Sequence, residues 1–254
     1  MRPFSDRQPA LTLKPLRPYL SMNWGLERHI KVLTETFELI GTTAPLREAV
    51  LNPAGVVLAR VAQHRAEACL VQLGWDPRFH KEGELVISLR GEAASGHALS
   101  MALAFERHAT GCWRGYSGCV QGGDETPDRI RALTKALHGL RPKSLLRYVA
   151  QVLAQQLNLN ELLAVSKAMH VYGSRLLIRL WTEAGGIRDR EDWYRLPLHT
   201  HRRKRADIAA NKRAQYARRY ALMDDLRAQL CGHFPLHSGV RFAHNPMDVT
   251  DALG

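Results

Sequence analysis

The sequence predicts an α/β (α+β) fold with a single mixed sheet: an antiparallel meander, then a parallel β-α-β step. Helices precede this sheet at the N-terminus, and a long basic helix follows it. Three observations predict the arrangement. Residues 56–121 carry successive short runs rich in β-forming residues, parted by Gly-bounded loops. Residues 127–157 then change to the three- and four-residue apolar spacing of helices. A short apolar run, ELLAVS at Glu161–Ser166, returns the chain to strand. A strand, a helical crossover and another strand make a parallel pair of right-handed connection.

In chain order, residues 1–22 are rich in Pro and Arg and are expected to form an extended arm over the surface. From Trp24 to Ile40, the residues Leu26, Ile30, Leu33, Phe37 and Ile40 recur at helical steps. Asn23 is the expected N-cap of that helix and Gly41 stands past its end. A short helix at Pro45–Leu51 stops at the Asn52-Pro53 turn. Val56–Ala62 and Glu67–Leu73 read as strands. Glu84–Arg90 sets Leu85, Ile87 and Leu89 on one face, and His97–Phe105 does the same with Leu99, Met101, Leu103 and Phe105. The Gly91–Gly96 loop joins them as a hairpin. Gly115–Gln121 completes the meander. Thr126, with Pro127 at the first helical position, opens a helix to about His138, which Gly139 breaks. A second helix from Pro142 to Leu157 carries the stripe Leu145, Leu146, Val149, Val152, Leu153 and Leu157. After Glu161–Ser166 come a helix near Arg175–Glu183, the Gly185-Gly186 turn, a strand at Trp193–Leu196 and the basic helix from His201 to Leu230. The domain is expected to span 23–231, with 232–254 a flexible tail. This order is GNAT-like, an analogy of topology that assigns no activity.

Composition bounds the function. A chain of 254 residues with 45% hydrophobic and 24% charged content suits one domain with a sizeable core. Its longest apolar stretch, Tyr148–Leu159, is interrupted by Gln and Asn and falls short of a membrane span. The start, MRPFSDRQPALTLKPLRPYL, has no apolar h-region and reads as a mature cytoplasmic N-terminus, with a peripheral position at the inner membrane as the alternative. Cys69, Cys112, Cys119 and Cys231 form no C-x-x-C pair and are read as free, mostly buried thiols. The net charge is +12. Arg202, Arg203, Lys204, Arg205, Lys212, Arg213, Arg218 and Arg219 stand against Asp207 alone, so more than half of that excess lies in one segment. Such a face attracts phosphate-rich partners, whether anionic membrane, lipopolysaccharide or nucleic acid; otherwise it is a solvated helix face.

Three groups of residues could carry a site. Gln121, Gly122 and Gly123 end a strand and Thr126 opens a helix, where close backbone approach and free amides favour an anion. The Arg/Gln-x-x-Gly-x-Gly/Ala pattern of acyl-CoA binding is not met, and Asp124, Glu125 and Asp128 suit a plain helix start equally well. Lys135, His138, Arg141 and Lys143, with Thr134, surround the Gly139 break and could grip phosphate, with His138 as a general base. The same cations also complement a helix C-terminus. Ser166, Lys167, His170 and Tyr172 follow the apolar strand, where open α/β sheets place ligands; His170 is the second candidate catalytic residue. No metal-ligand spacing accompanies His199 and His201, and no metal is expected. Tyr216 and Tyr220 lie among the arginines, as stacking platforms or as a packed helix face.

The run YSGCVQGGDETPDRIRALTKALHGLRPKSLLRYVAQVLAQQLNLNELLAVSKAMHVY (Tyr116–Tyr172) resembles the central block of the VirK/YbjX family, a bacterial domain of unknown function. GCVQGG, TKALHGLRPK and LLAVS are its specific phrases. The resemblance continues through LWTEAGG, WYRLPL and KRADIAANKRAQYARRYALMDDL, with KEGELVISLR upstream, and covers roughly residues 20–230. It implies association with envelope stress, resistance to cationic peptides, virulence and, for some members, DNA damage. It implies no reaction, cofactor or catalytic residue. The stretch between Tyr172 and Trp181 is shorter than the family's usual one.

Two functions follow as expectations. One is a GNAT-like acyltransferase or acyl-thioester-binding protein, with CoA or an acyl carrier as cofactor. The other is a non-enzymatic binder that sets its basic helix on an anionic membrane or lipopolysaccharide, or on nucleic acid. No helix-turn-helix, RRM or zinc module supports the nucleic-acid version.

Overall fold

The structure is a computed structural model that describes residues 9–63, 66–92, 96–108, 111–123, 127–172, 181–183, 185–190 and 192–234. Two helices, α1 (Leu26–Thr42) and α2 (Ala44–Leu51), precede the strands β1 (Val56–Gln63), β2 (Ala66–Gly74), β3 (Leu85–Gly91), β4 (Leu99–Arg107) and β5 (Trp113–Gly122). Helices α3 (Pro127–Ala136) and α4 (Pro142–Gln156) lead to β6 (Leu159–Val165). Strands β7 (Ile187–Arg190) and β8 (Trp193–Leu196) and the helix α5 (Arg213–His233) complete the order.

The strands form one sheet in the order β1-β2-β3-β4-β5-β6-β8-β7. Every neighbouring pair is antiparallel except β5 and β6, which run parallel. The sheet is mixed, with the meander and the β-α-β step where the periodicity puts them. Strand β7 was not foreseen, because IRDR has one apolar residue in four and pairs only through β8. Strand β4 is buried at every position from Leu99 to Glu106. Helix α1 packs on β4, α2 on β2, α4 on β3, β4 and β6, and α5 on β1 and α4. Each Leu, Ile or Phe withdrawn from water in this core contributes about 1.5–3 kcal/mol. At the outer edge, Gln229 of α5 accepts from the Arg60 N–H (2.8 Å) and donates to the Arg60 carbonyl (3.2 Å). Among the described residues no helix is long and apolar enough to cross a membrane.

Four expectations are corrected. Residues 9–22 are not an extended surface arm. Pro9–Leu16 coils into a 3-10 helix, and Tyr19 and Leu20 are wholly buried, held by the Leu20 N–H to Lys81 O bond and an isolated Ser21–His170 bridge. Their apolar area overrides the Pro-rich local signal. In α1 the buried stripe is Val32, Leu33, Thr36, Phe37, Leu39 and Ile40 with His29, whereas Leu26 and Ile30 are exposed. Asn23 does not cap this helix; its amide donates to both Asp192 oxygens at 3.0 Å.

The long basic helix starts at Arg213, not His201. Residues 201–212 form an irregular strap with 3-10 turns at Arg205–Asp207 and Ala210–Lys212. Four cations in a first helical turn would oppose the macrodipole. Ile208 anchors the strap by burial, the Arg203 N–H donates to Tyr220 Oη (3.0 Å), and Arg213 Nε donates to the Ile208 carbonyl (3.2 Å). Thr126 with Asp124 and Glu125, most of the helix expected near Arg175, and residues 235–254 of the tail lie outside the described residues.

Candidate functional site

Strand β5 pairs with β4 from Trp113 to Gly122, but with β6 only from Trp113 to Ser117. A bulge marks where the two part: Ala102 faces Cys119 and Leu103 faces Ser117, leaving Gly118 as the extra residue. Gly118 is packed on the backbone of Glu82, and a Cβ there would stand 2.0 Å from the Glu82 carbonyl oxygen. Beyond the bulge, residues Cys119 to Gly123 line a cleft of about 1800 Å³. That is ample for a cofactor-sized ligand.

The floor of the cleft is a buried carboxylate. Glu82 is wholly buried, and Gln121 Nε2 donates to both of its oxygens, at 2.8 and 3.1 Å. His170 Nε2 lies 2.8 Å from Glu82 Oε1. The Tyr172 N–H donates to His170 Nδ1 at 3.2 Å, which turns the other ring nitrogen, Nε2, toward Glu82. Burial, then the neighbouring Glu82 charge, pushes the Cys119 thiol well up, which keeps it protonated. Burial, then Glu82, raises the Tyr172 phenol as well. Sequence reasoning missed Glu82. Its signal is the Glu82-Gly83-Glu84 run, two carboxylates entering an apolar strand and both fully buried.

The walls are cationic. Helix α3 contributes Arg131, Thr134 and Lys135; the following turn and α4 contribute Arg141, Lys143, Ser144 and Arg147. The strap and α5 add Arg203, Tyr216 and Arg219. The Arg219 guanidinium lies 4.4 Å from the Tyr216 ring centre and donates to the His138 carbonyl at 3.0 and 3.3 Å. Burial draws Arg147 below its ordinary pKa, and its Nε has no partner. Among the described residues, no carboxylate pairs with Lys135, Lys143 or Arg147, and Arg141 reaches Glu183 only at 3.8 Å. Helix α4 begins with no acidic residue and no side-chain cap. An unpaired cation set beside an uncapped helix start is suited to phosphate.

The structure thus gathers Gln121, Gly122, Gly123, Lys135, Arg141, Lys143 and His170 around one cleft. It does not bring His138 there: that residue is half-buried in the turn after α3 at φ 53°, and its carbonyl serves Arg219. Gly123 is a glycine for packing, since a Cβ would lie 1.6 Å from the His97 carbonyl oxygen. Gly122 has open space around it. Of the basic segment, Arg203 and Arg219 line the cleft. Arg202 pairs with Asp224, while Lys204, Arg205, Lys212, Arg213 and Arg218 are exposed outside it.

A family described as a protein of unknown function (DUF535) matches residues 1–232. The uncharacterized protein YbjX of Escherichia coli (strain K12) is 32% identical over 244 residues, 90% of this chain and 73% of that one. Two uncharacterized proteins of Haemophilus influenzae are also 32% identical. They cover 42% and 39% of this chain, and 40% and 36% of their own lengths. Among solved structures, a mutant of the cAMP-binding acyltransferase from Mycobacterium smegmatis aligns with a TM-score of 0.36 and 11% identity. That alignment covers 85% of this chain and 64% of the other.

Proposed function

The chain belongs to the DUF535 family, the VirK/YbjX family of bacterial proteins, and from that footing we propose that its cleft binds an acyl thioester and transfers the acyl group. The observation that carries this reading is the parting of β5 from β6 into a cleft that has cations on its walls and a carboxylate at its floor. The open edge of β5 beyond Ser117 suits an extended, amide-bearing arm, which can pair with it as an added strand. Lys135, Lys143 and Arg147 suit the phosphates of the carrier. Glu82, oriented by His170 and Gln121, takes the proton of the acceptor as it attacks the thioester carbonyl. The C–S bond then breaks and Glu82 returns that proton to the leaving sulfur, which departs as the thiol. His170 is a positioning residue in this scheme: its Nδ1 is held by the Tyr172 N–H and its Nε2 stands beside Glu82. The acceptor belongs to the cell envelope, and the protein works from the cytoplasmic side.

The test is calorimetric titration and thermal shift with short- and long-chain acyl-CoA. Saturable binding is expected, weakened at least tenfold by Arg147→Glu and likewise by Gly122→Trp, which sets a bulky ring on the cleft lining at a position where an added Cβ meets no neighbour within 4 Å. Absence of binding to every acyl-CoA and acyl carrier tried would overturn the reading. A second reading, a non-enzymatic binder of anionic membrane, is favoured by the exposed cations outside the cleft. It predicts salt-sensitive flotation with anionic vesicles that Gly122→Trp leaves unchanged.

A further inference from the structure

The cleft holds cations enough for a small phosphate ligand, yet the basic segment goes on beyond it. Arg203 and Arg219 line the cleft, and their chain neighbours Lys204, Arg205 and Arg218 face solvent just outside. Lys212 and Arg213 stand one helical turn before Tyr216, itself a lining residue. Among the described residues none of these five exposed cations is paired with a carboxylate, whereas Arg202, at the start of the segment, is held by Asp224. The cations are also not loosely strung. Buried Ile208, the Arg203-to-Tyr220 bond and the Arg213-to-Ile208 bond fix the strap. Arg203 and Arg219 lie over Tyr216 at 5.9 and 4.4 Å, and Arg202 over Tyr220 at 5.1 Å.

A cationic rim, carried on a strap anchored at Ile208 and Tyr220, that extends past the mouth of a ligand cleft is more than a free nucleotide-type carrier needs. It fits a ligand whose buried part is continuous with a large acidic surface. We infer that the rim formed by Lys204, Arg205, Lys212, Arg213 and Arg218 docks a small acidic carrier protein that delivers the thioester into the cleft on a phosphopantetheine arm. The inference rests on the acyl-thioester reading and names the partner for it. Exposed pairs of this kind act mainly on association and are screened by salt, so the docking is strongest at low ionic strength.

The test compares two probes on the full chain: acyl-CoA, and the acylated carrier protein purified from the same host. The triple variant Arg205→Glu, Lys212→Glu, Arg218→Glu changes exposed residues outside the cleft. It is expected to weaken carrier binding at least tenfold, and to leave acyl-CoA affinity and thermal midpoint within twofold and about one degree of the parent. Raising salt from low to physiological ionic strength is expected to weaken carrier binding and to affect acyl-CoA far less. Unchanged carrier binding in the variant, or equal losses for the two probes, would overturn the inference while leaving the cleft reading intact. So would an acyl-CoA-binding protein that ignores the carrier but takes up anionic vesicles or a single-stranded oligonucleotide through the same rim. Failure of both probes to bind the parent would instead remove the thioester reading itself.

Discussion

Gly118 and Gly122 stand four residues apart on one strand and answer to different demands. Gly118 is where the β5 bulge lets the Glu82 backbone come in, while Gly122 opens onto the cleft. Gly118→Ala pushes a methyl group into backbone that has no soft side chain to move, and is expected to cost about 2–3 kcal/mol. Gly122→Ala is expected to stay within about 0.5 kcal/mol of the parent. Differential scanning calorimetry of the two variants reads the contrast directly, and equal midpoints would contradict the bulge assignment. The sequence drew attention to Gly122 and Gly123 because they punctuate a strand end, and passed over Gly118 because an extra residue within a strand leaves no mark on a period-two pattern. Glu82 was illegible for a different reason. Its partners Gln121 and His170 come from the end of β5 and the turn after β6, and only the folded sheet brings them together.

Among the elements, the N-terminal 3-10 helix is fastened by charge. Lys14 forms an ion pair with Glu84 in which both side chains are almost fully buried, and its ammonium lies 5.0 Å from the centre of the Tyr19 ring. Burial, then the nearby Glu84 charge, raises the Tyr19 phenol well above its ordinary value, so the tyrosine stays neutral beside the carboxylate. Removing one partner strands the other without water. Lys14→Met is therefore expected to cost about 3–5 kcal/mol, and adding Glu84→Leu to recover much of that loss. Urea unfolding of the two singles and the double closes the cycle, and strictly additive costs would show that the pair does not hold the segment. Elements with their own periodicity were legible, and so the meander, α4 and β6 fall where the pattern put them. The N-terminal segment was not, because its order comes from contacts with Lys81, Glu84 and His170 far along the chain. The basic segment read as one helix because its charges hide a strap whose shape is set by Ile208 and Tyr220.

For the molecule as a whole, α1, β4 and β5 meet at Glu106. Its oxygens receive Arg28 at 2.5 and 2.6 Å, Tyr116 Oη at 2.5 Å and Lys31 at 2.9 Å. Burial alone would raise the Glu106 carboxyl, but these donors and charges outweigh it and hold it below the usual range. Burial, then the Glu106 hydrogen bond and charge, pushes the Tyr116 phenol up to about 12. The unfolded chain releases that proton near its ordinary value of 10.0, while the native state keeps it until about 12. Native stability therefore falls as pH rises from 10 to 12, by about 2–3 kcal/mol from this residue. Tyr116→Phe, though less stable at neutral pH, is expected to lose less than the parent across that window. Denaturant midpoints measured at intervals from pH 9 to 12 check it, and parallel curves would rule out the linkage.

The edge of the sheet carries a consequence for how copies of the protein meet one another. Strand β1 is the outer strand at one edge of the sheet, with irregular register against β2 at two places, and the side-chain amide of Gln229 occupies both backbone groups of Arg60. That amide imitates the peptide unit of a ninth strand. An approaching second chain, looking for the ladder of donors and acceptors that seeds fibrils, meets at Arg60 a rung already taken and on either side a kinked rail. The sheet ends at β1 because its own last helix reaches back and closes it.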